Sequence, residues 1–273
     1  MPPLFSGNLT AFTCCIHSNA TSAEPWKVTW MSTPVKMQAD PLWGCEYEDV
    51  SITADGIVLS CQVSVDDLDA FTTTLVAEVA NTSWMTGMDS LTRKGYEAAI
   101  ALTAPLLIEL AEDTAATGTL NEEFGEIMVS IGCSRALEAV YSHVSIPISE
   151  LWKPKSRNNE GFDFHTVCPM HLVNFGEAKY SRTKNPHTIA FTQIAKFLTN
   201  KKHLMDVHYL GTLCSRQSMS RLDLDEFGVI AAFSLNAANK KLTMGRAKDA
   251  AKDIASQHAL SQVMVVGVSY AAK

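Results

Sequence analysis

The pattern of apolar and polar positions changes character several times along the chain. An opening stretch to about residue 90 is rich in Thr, Val, Trp and Ser with acidic turns, and within it Gly56-Ile57-Val58-Leu59-Ser60-Cys61-Gln62-Val63 reads as a strand. From Leu91 to Asp113 the pattern is helical, and Thr114-Ala115-Ala116-Thr117-Gly118-Thr119 reads as a connection. Thr119-x-x-Glu122 then matches a capping box, and Phe124, Ile127, Met128 and Ile131 follow at i, i+3, i+4 and i+7, which predicts a long helix over 121–142. Two strands carrying Asp163 and Glu177 come next, followed by a helix opened by Asn185-Pro186 with Ala190, Ile194 and Phe197 as its apolar stripe. Strand-like stretches recur at 205–213 and 228–235, a helix is expected near 246–258, and 262–270 reads as a buried final strand. The expectation is an α/β protein in two parts. A smaller mixed α+β domain spans 1–115, and a second domain, a mixed sheet flanked by helices, spans 116–273.

Composition narrows this picture. With 273 residues and 47% apolar content the chain can bury a full core. Its longest apolar run, Ala98 to Leu110, is shorter than a membrane span and is interrupted by Pro105 and Glu109, so no membrane association is expected. The first residues lack the positive charge and apolar block of a secretory signal, and the seven cysteines show no paired C-x-x-C clusters. A reduced, cytoplasmic protein is expected. Cys168 and His171 have no second pair at convincing zinc spacing and are expected to be structural.

Charge divides the chain in a way the net value of −7 conceals. Residues 1–145 hold 5 Lys+Arg against 19 Asp+Glu, whereas residues 146–273 hold 17 against 10. Lys153, Lys155 and Arg157, then Arg182 and Lys184, and finally Lys240, Lys241, Arg246, Lys248 and Lys252 offer cations to phosphates.

The chemistry is carried by Gly161-Phe162-Asp163-Phe164-His165 and, fourteen residues after the aspartate, Gly176-Glu177-Ala178-Lys179. In a strand alternate side chains share a face, so Glu177 and Lys179 project together about 7 Å apart. If Asp163 lies on an antiparallel neighbour, a second carboxylate joins them, and paired carboxylates suit Mg²⁺. Glu126 shares a line with Val129 and Cys133 on a helix that is apolar on two sides, where a carboxylate needs a cation or a donor. His165 shares a face with Asp163, although a lone histidine is more often structural.

These motifs, in the order helix, strand, strand, helix, strand, resemble the PD-(D/E)xK nuclease superfamily over roughly residues 119–215. The resemblance implies that Asp163 and Glu177 bind the metal, Mg²⁺ with Mn²⁺ as an alternative, together with the backbone carbonyl of Ala178. It gives Lys179 the attacking water and lends support to Glu126 as a fourth catalytic residue. Phe162 stands where the founding pattern has proline. The phrases Phe124-Gly125-Glu126-Ile127-Met128 and Phe175-Gly176-Glu177-Ala178-Lys179-Tyr180 further resemble the nuclease subunits, HamA, of Hachiman-type bacterial antiphage systems. That closer likeness implies a DNA nuclease restrained by a superfamily 2 helicase, HamB. The chain has no G-x-x-x-x-G-K-[ST] motif, so any ATP-driven step belongs to such a partner, and the acidic first part is the expected docking surface. A catalytically silent nucleic-acid-binding subunit is the alternative.

Overall fold

Strands buried on both faces read as near-continuous apolar runs, and three such runs build the centre of this protein. The computed structural model describes residues 37–51, 56–153 and 161–270. The chain enters through three strands, β1 (Gln38–Asp40), β2 (Cys45–Asp49) and β3 (Val58–Val65), then three helices, α1 (Leu68–Ala80), α2 (Ser90–Thr117) and α3 (Glu122–Tyr141). Short β4 (Val144–Ser145) and α4 (Ser149–Trp152) lead to the motif strands β5 (Phe164–Val167) and β6 (Val173–Lys179). Four helices follow, α5 (His187–Thr199), α6 (Lys202–Met205), α7 (Val207–Leu213) and α8 (Arg216–Asp223). The chain closes with β7 (Gly228–Ser234), α9 (Lys240–His258) and β8 (Gln262–Tyr270).

All eight strands form one mixed sheet in the order β1-β2-β3-β8-β7-β6-β5-β4. The inner four, β3, β8, β7 and β6, run parallel, and each edge is finished by antiparallel pairs. Alternation along the strands sends side chains into two cores. Ile230, Ala232, Met264 and Val266 meet Phe71 and Leu75 of α1 and Phe124 and Met128 of α3. On the opposite face Val229, Ala231, Val263 and Val265 meet Ala190, Ile194 and Phe197 of α5 and Ala247, Ala251 and Ile254 of α9. The result is an α/β protein in which a mixed sheet lies between two helical layers.

Several sequence expectations are revised by longer-range contacts. β3 pairs in parallel with β8 over eight residues, so the sheet runs across the 115/116 boundary expected from composition, and the described residues form one compact unit. The expected connection at Thr114–Thr119 is largely the last turn of α2, which reaches Thr117 and ends on Gly118 in the left-handed region at φ 61°. Thr119 stays tied to that helix through its hydroxyl, which donates to the Thr117 carbonyl at 3.4 Å. The cap of α3 falls instead to Asn121, whose Oδ1 accepts from the Phe124 N–H at 2.7 Å. Residues 205–213 are helical rather than extended, since Val207, Leu210, Leu213 and Cys214 share the face that packs on the core. No helix among the described residues is long and apolar enough to cross a membrane.

Candidate active site

β5 and β6 form a hairpin whose turn is closed by the Cys168 and Leu172 backbones, with His171 in the left-handed region at φ 61°. Cys168 and His171 are thus turn residues. The register sets Phe164 opposite Gly176, which places Asp163, one residue before β5, opposite Glu177. The Asp163 N–H donates to the Gly176 carbonyl at 2.8 Å. Its Oδ2 accepts from the Ala178 N–H, also at 2.8 Å. Both the backbone and the carboxylate of Asp163 are therefore held by the neighbouring strand.

Two glycines permit this close assembly. A Cβ at Gly176 would run into the Phe164 ring, and one at Gly125 would run into the Tyr180 ring. The second contact lets α3 approach the end of β6, and in consequence Glu126 Oε1 comes within 3.4 Å of Lys179 Nζ. The same ammonium lies 2.8 Å from Glu177 Oε1. Glu177 is completely buried, whereas the Glu126 side chain is 37% exposed, so the site has a buried floor and an open side. As expected, α3 is apolar on two sides, with Val129 and Cys133 fully buried beneath Glu126. The Ala178 side chain points the other way, into the core with Ile230 and Ala232.

Electrostatics single out Glu177. Burial, then the charge of Asp163, push its carboxyl well above the usual range, and Lys179 does not offset them. Burial alone would lower the Lys179 ammonium, but the Glu177, Asp163 and Glu126 carboxylates outweigh it and raise its pKa. Three carboxylates thus surround one cation, and Glu177 Oε2 is buried without a hydrogen-bond partner. Leaving a buried charge incomplete costs several kcal/mol. A divalent cation beside Asp163 and Glu177 would supply both the missing partner and the missing charge, so the donor set fits Mg²⁺, which keeps several waters and needs only one or two carboxylates. Among the described residues no cluster of three or more His, Cys, Asp or Glu side chains could hold a metal ion by itself. Glu126 reaches the site through Lys179, at 3.4 Å.

Other candidates fall elsewhere. His165 is fully buried, its Nε2 3.1 Å from Asp206 Oδ2 and its ring against Trp152 and Phe175. Lys153 is not free to meet phosphate, because its ammonium lies 2.6 Å from Asp206 Oδ1 and donates to the Phe162 carbonyl at 3.3 Å. This Lys153–Asp206–His165 cluster had no sequence signal, since Asp206 arrives from the junction of α6 and α7. Lys248 donates to the Val50 carbonyl at 2.9 Å, and Lys252 pairs with Asp249 at 3.5 Å. Arg182, Lys184, Lys240, Lys241 and Arg246 are exposed, while Lys155 and Arg157 lie outside the described residues. The five described cysteines, 45, 61, 133, 168 and 214, are free thiols.

Comparison of the chain with protein-family models, with curated proteins and with solved structures gives no match, so the functional reading rests on the geometry of the site and on its motifs.

Proposed function

We propose that the protein is a Mg²⁺-dependent deoxyribonuclease with a PD-(D/E)xK core, acting in the cytoplasm as the nuclease subunit of a Hachiman-type antiphage system beside a superfamily 2 helicase. One observation carries the reading. Asp163 and Glu177 face each other across two antiparallel strands, and Lys179, on the same side of β6 as Glu177, places its ammonium 2.8 Å from that buried carboxylate.

A bound divalent cation supplies charge neutralisation for the phosphoryl oxygens, a polarised water and a counter-charge for the leaving oxygen. Asp163 and Glu177 would hold it, with the Ala178 carbonyl beside them. Two backbone contacts keep Asp163 fixed, so no reorganisation of that carboxylate is needed when substrate arrives. Lys179, held charged among carboxylates, is placed to donate to the attacking water or to a phosphoryl oxygen. Glu126 grips the same ammonium at 3.4 Å from the open side and is placed to orient water there. Arg182 and Lys184 follow β6 directly and bring exposed positive charge next to the site. The acidic stretch at the start of the chain is assigned to the helicase.

The test is cleavage of supercoiled plasmid by the purified full chain with Mg²⁺, with and without the helicase, beside Asp163→Ala and Glu177→Ala/Lys179→Ala. Metal-dependent nicking that disappears in the variants is expected. Suppression by the helicase supports the two-subunit arrangement. Cleavage that persists in both variants, or none even with helicase, ATP and broken DNA, rejects the reading.

A further inference from the structure

Asp206 is buried at the junction of α6 and α7, and both of its carboxylate oxygens are engaged by groups that bracket Asp163. Its Oδ1 lies 2.6 Å from the Lys153 ammonium, which donates onward to the Phe162 carbonyl at 3.3 Å. Its Oδ2 lies 3.1 Å from His165 Nε2. Phe162 immediately precedes Asp163, and His165 follows it by two residues and so shares its side of the strand. One carboxylate from a distant helix junction therefore holds the backbone ahead of Asp163 and the side chain after it.

The surroundings leave this bracket little freedom. The His165 ring packs against Trp152 and Phe175, with centroids 5.4 and 5.3 Å away. The Phe162 ring meets Phe175 and Phe197, each at 5.3 Å. Lys153 is tied to α4 through its N–H, which donates to the Ser149 carbonyl at 2.8 Å. A Cβ on Gly161 would run into the Lys153 ammonium, so the bare backbone there is what lets the cation reach the Phe162 carbonyl. The pairing with β6 fixes Asp163 from the side, through the Gly176 carbonyl and the Ala178 N–H. The bracket fixes the same residue along its own strand. A ligand must be held to within about 0.5 Å of its productive place, and loss of a group that orients it typically weakens metal binding by about 10- to 100-fold.

We propose that Asp206 is a positioning residue for the metal ligand Asp163, acting through Lys153 on one side and His165 on the other. Asp206 touches neither metal nor substrate, and its effect on the reaction is confined to how well Asp163 is placed. This role rests on the metal-dependent reading of Asp163 and Glu177.

Calorimetric titration of the full chain with Mn²⁺, well below its melting temperature, tests it with three variants. Asp206→Asn should weaken Mn²⁺ binding about tenfold. Gly161→Ala, which displaces the Lys153 ammonium without altering any charge, should weaken it severalfold, and it decides alone if Asp206→Asn does not fold. Leu75→Ala, a cavity in the core beneath α1, should destabilise the protein and leave Mn²⁺ affinity unchanged. Plasmid cleavage by Asp206→Asn should be deficient at low Mn²⁺ and return to about the native rate at saturation. Native affinity in Asp206→Asn, equal weakening in Leu75→Ala, or a cleavage deficit that saturating Mn²⁺ does not remove would overturn the proposal while leaving the metal site intact. A native protein that binds no Mn²⁺ would overturn the metal-dependent reading and this role with it.

Discussion

Glu177 and Asp206 are both buried acids with a lysine at ion-pair distance, yet their surroundings differ in kind. Asp206 has Lys153 at 2.6 Å on one oxygen and His165 at 3.1 Å on the other. Burial acts to raise its pKa, but those two partners prevail and hold it below the usual carboxylate range. Glu177 has Lys179 at 2.8 Å on one oxygen only, shares that lysine with Glu126, and faces the like charge of Asp163. Its carboxyl is raised and Oε2 has no partner. The protein completes the first acid from its own residues and leaves the second incomplete. In the proposed reading, that contrast separates a structural ion pair from a site completed by a cation from outside.

The sharpest way to break the comparison is to neutralise each acid without changing its shape. Glu177→Gln should cost at least about a thousandfold in plasmid cleavage while leaving the melting temperature unchanged or higher, because it removes a poorly matched charge. A melt lowered by several degrees would put Glu177 in the same class as Asp206. For Asp206→Asn the expected loss is about 3 kcal/mol of stability, read from the urea midpoint, since the buried Lys153 ammonium loses its counter-charge. Stability unchanged by that substitution would mean that Lys153 is not committed to Asp206.

The two acids should also give opposite pH signatures. Asp206, with its folded pKa depressed, contributes stability that is present above its ordinary value and is lost as pH falls through the folded value. Glu177, with its folded pKa raised, contributes stability that is complete below its ordinary value and declines as pH rises through the folded one. Removing the Glu177 carboxyl should flatten that decline, by at most about 1.4 kcal/mol per pH unit. Parallel stability profiles for native protein and Glu177→Gln would contradict this. The smallest expected effect concerns the support of the site: Gly176→Ala should cost about 1–3 kcal/mol by forcing the Phe164 ring aside, with partial rescue by Phe164→Leu. An alanine accommodated at no cost would show that this packing does not hold the hairpin.

What could be read from the chain follows the range of the interactions involved. β6, β7 and β8 are legible because strands buried on both faces are written as apolar runs. Asp163, Glu177 and Lys179 are legible because strand alternation and one antiparallel pairing suffice to bring them together. Glu126 required a helix face and a close approach at Gly125, and the sequence disclosed the first of these. The parallel pairing of β3 with β8 joins segments about two hundred residues apart and leaves no local mark, which is why composition suggested a boundary within one sheet. Asp206 stayed hidden for a related reason. It sits beside a short apolar run that fits a strand as well as a helix, and its partners lie some forty to fifty residues earlier, Lys153 just after α4 and His165 within β5.

The central claim is that Glu177 and Asp163 form a carboxylate pair completed by a divalent cation. Calorimetric titration of the full chain with Mn²⁺ and Mg²⁺, in parallel with Glu177→Gln, tests it without depending on substrate or partner. Saturable binding that raises the melting temperature of the native protein and disappears in Glu177→Gln is the predicted result. Absence of binding to the native protein, or equal binding by the variant, would contradict it.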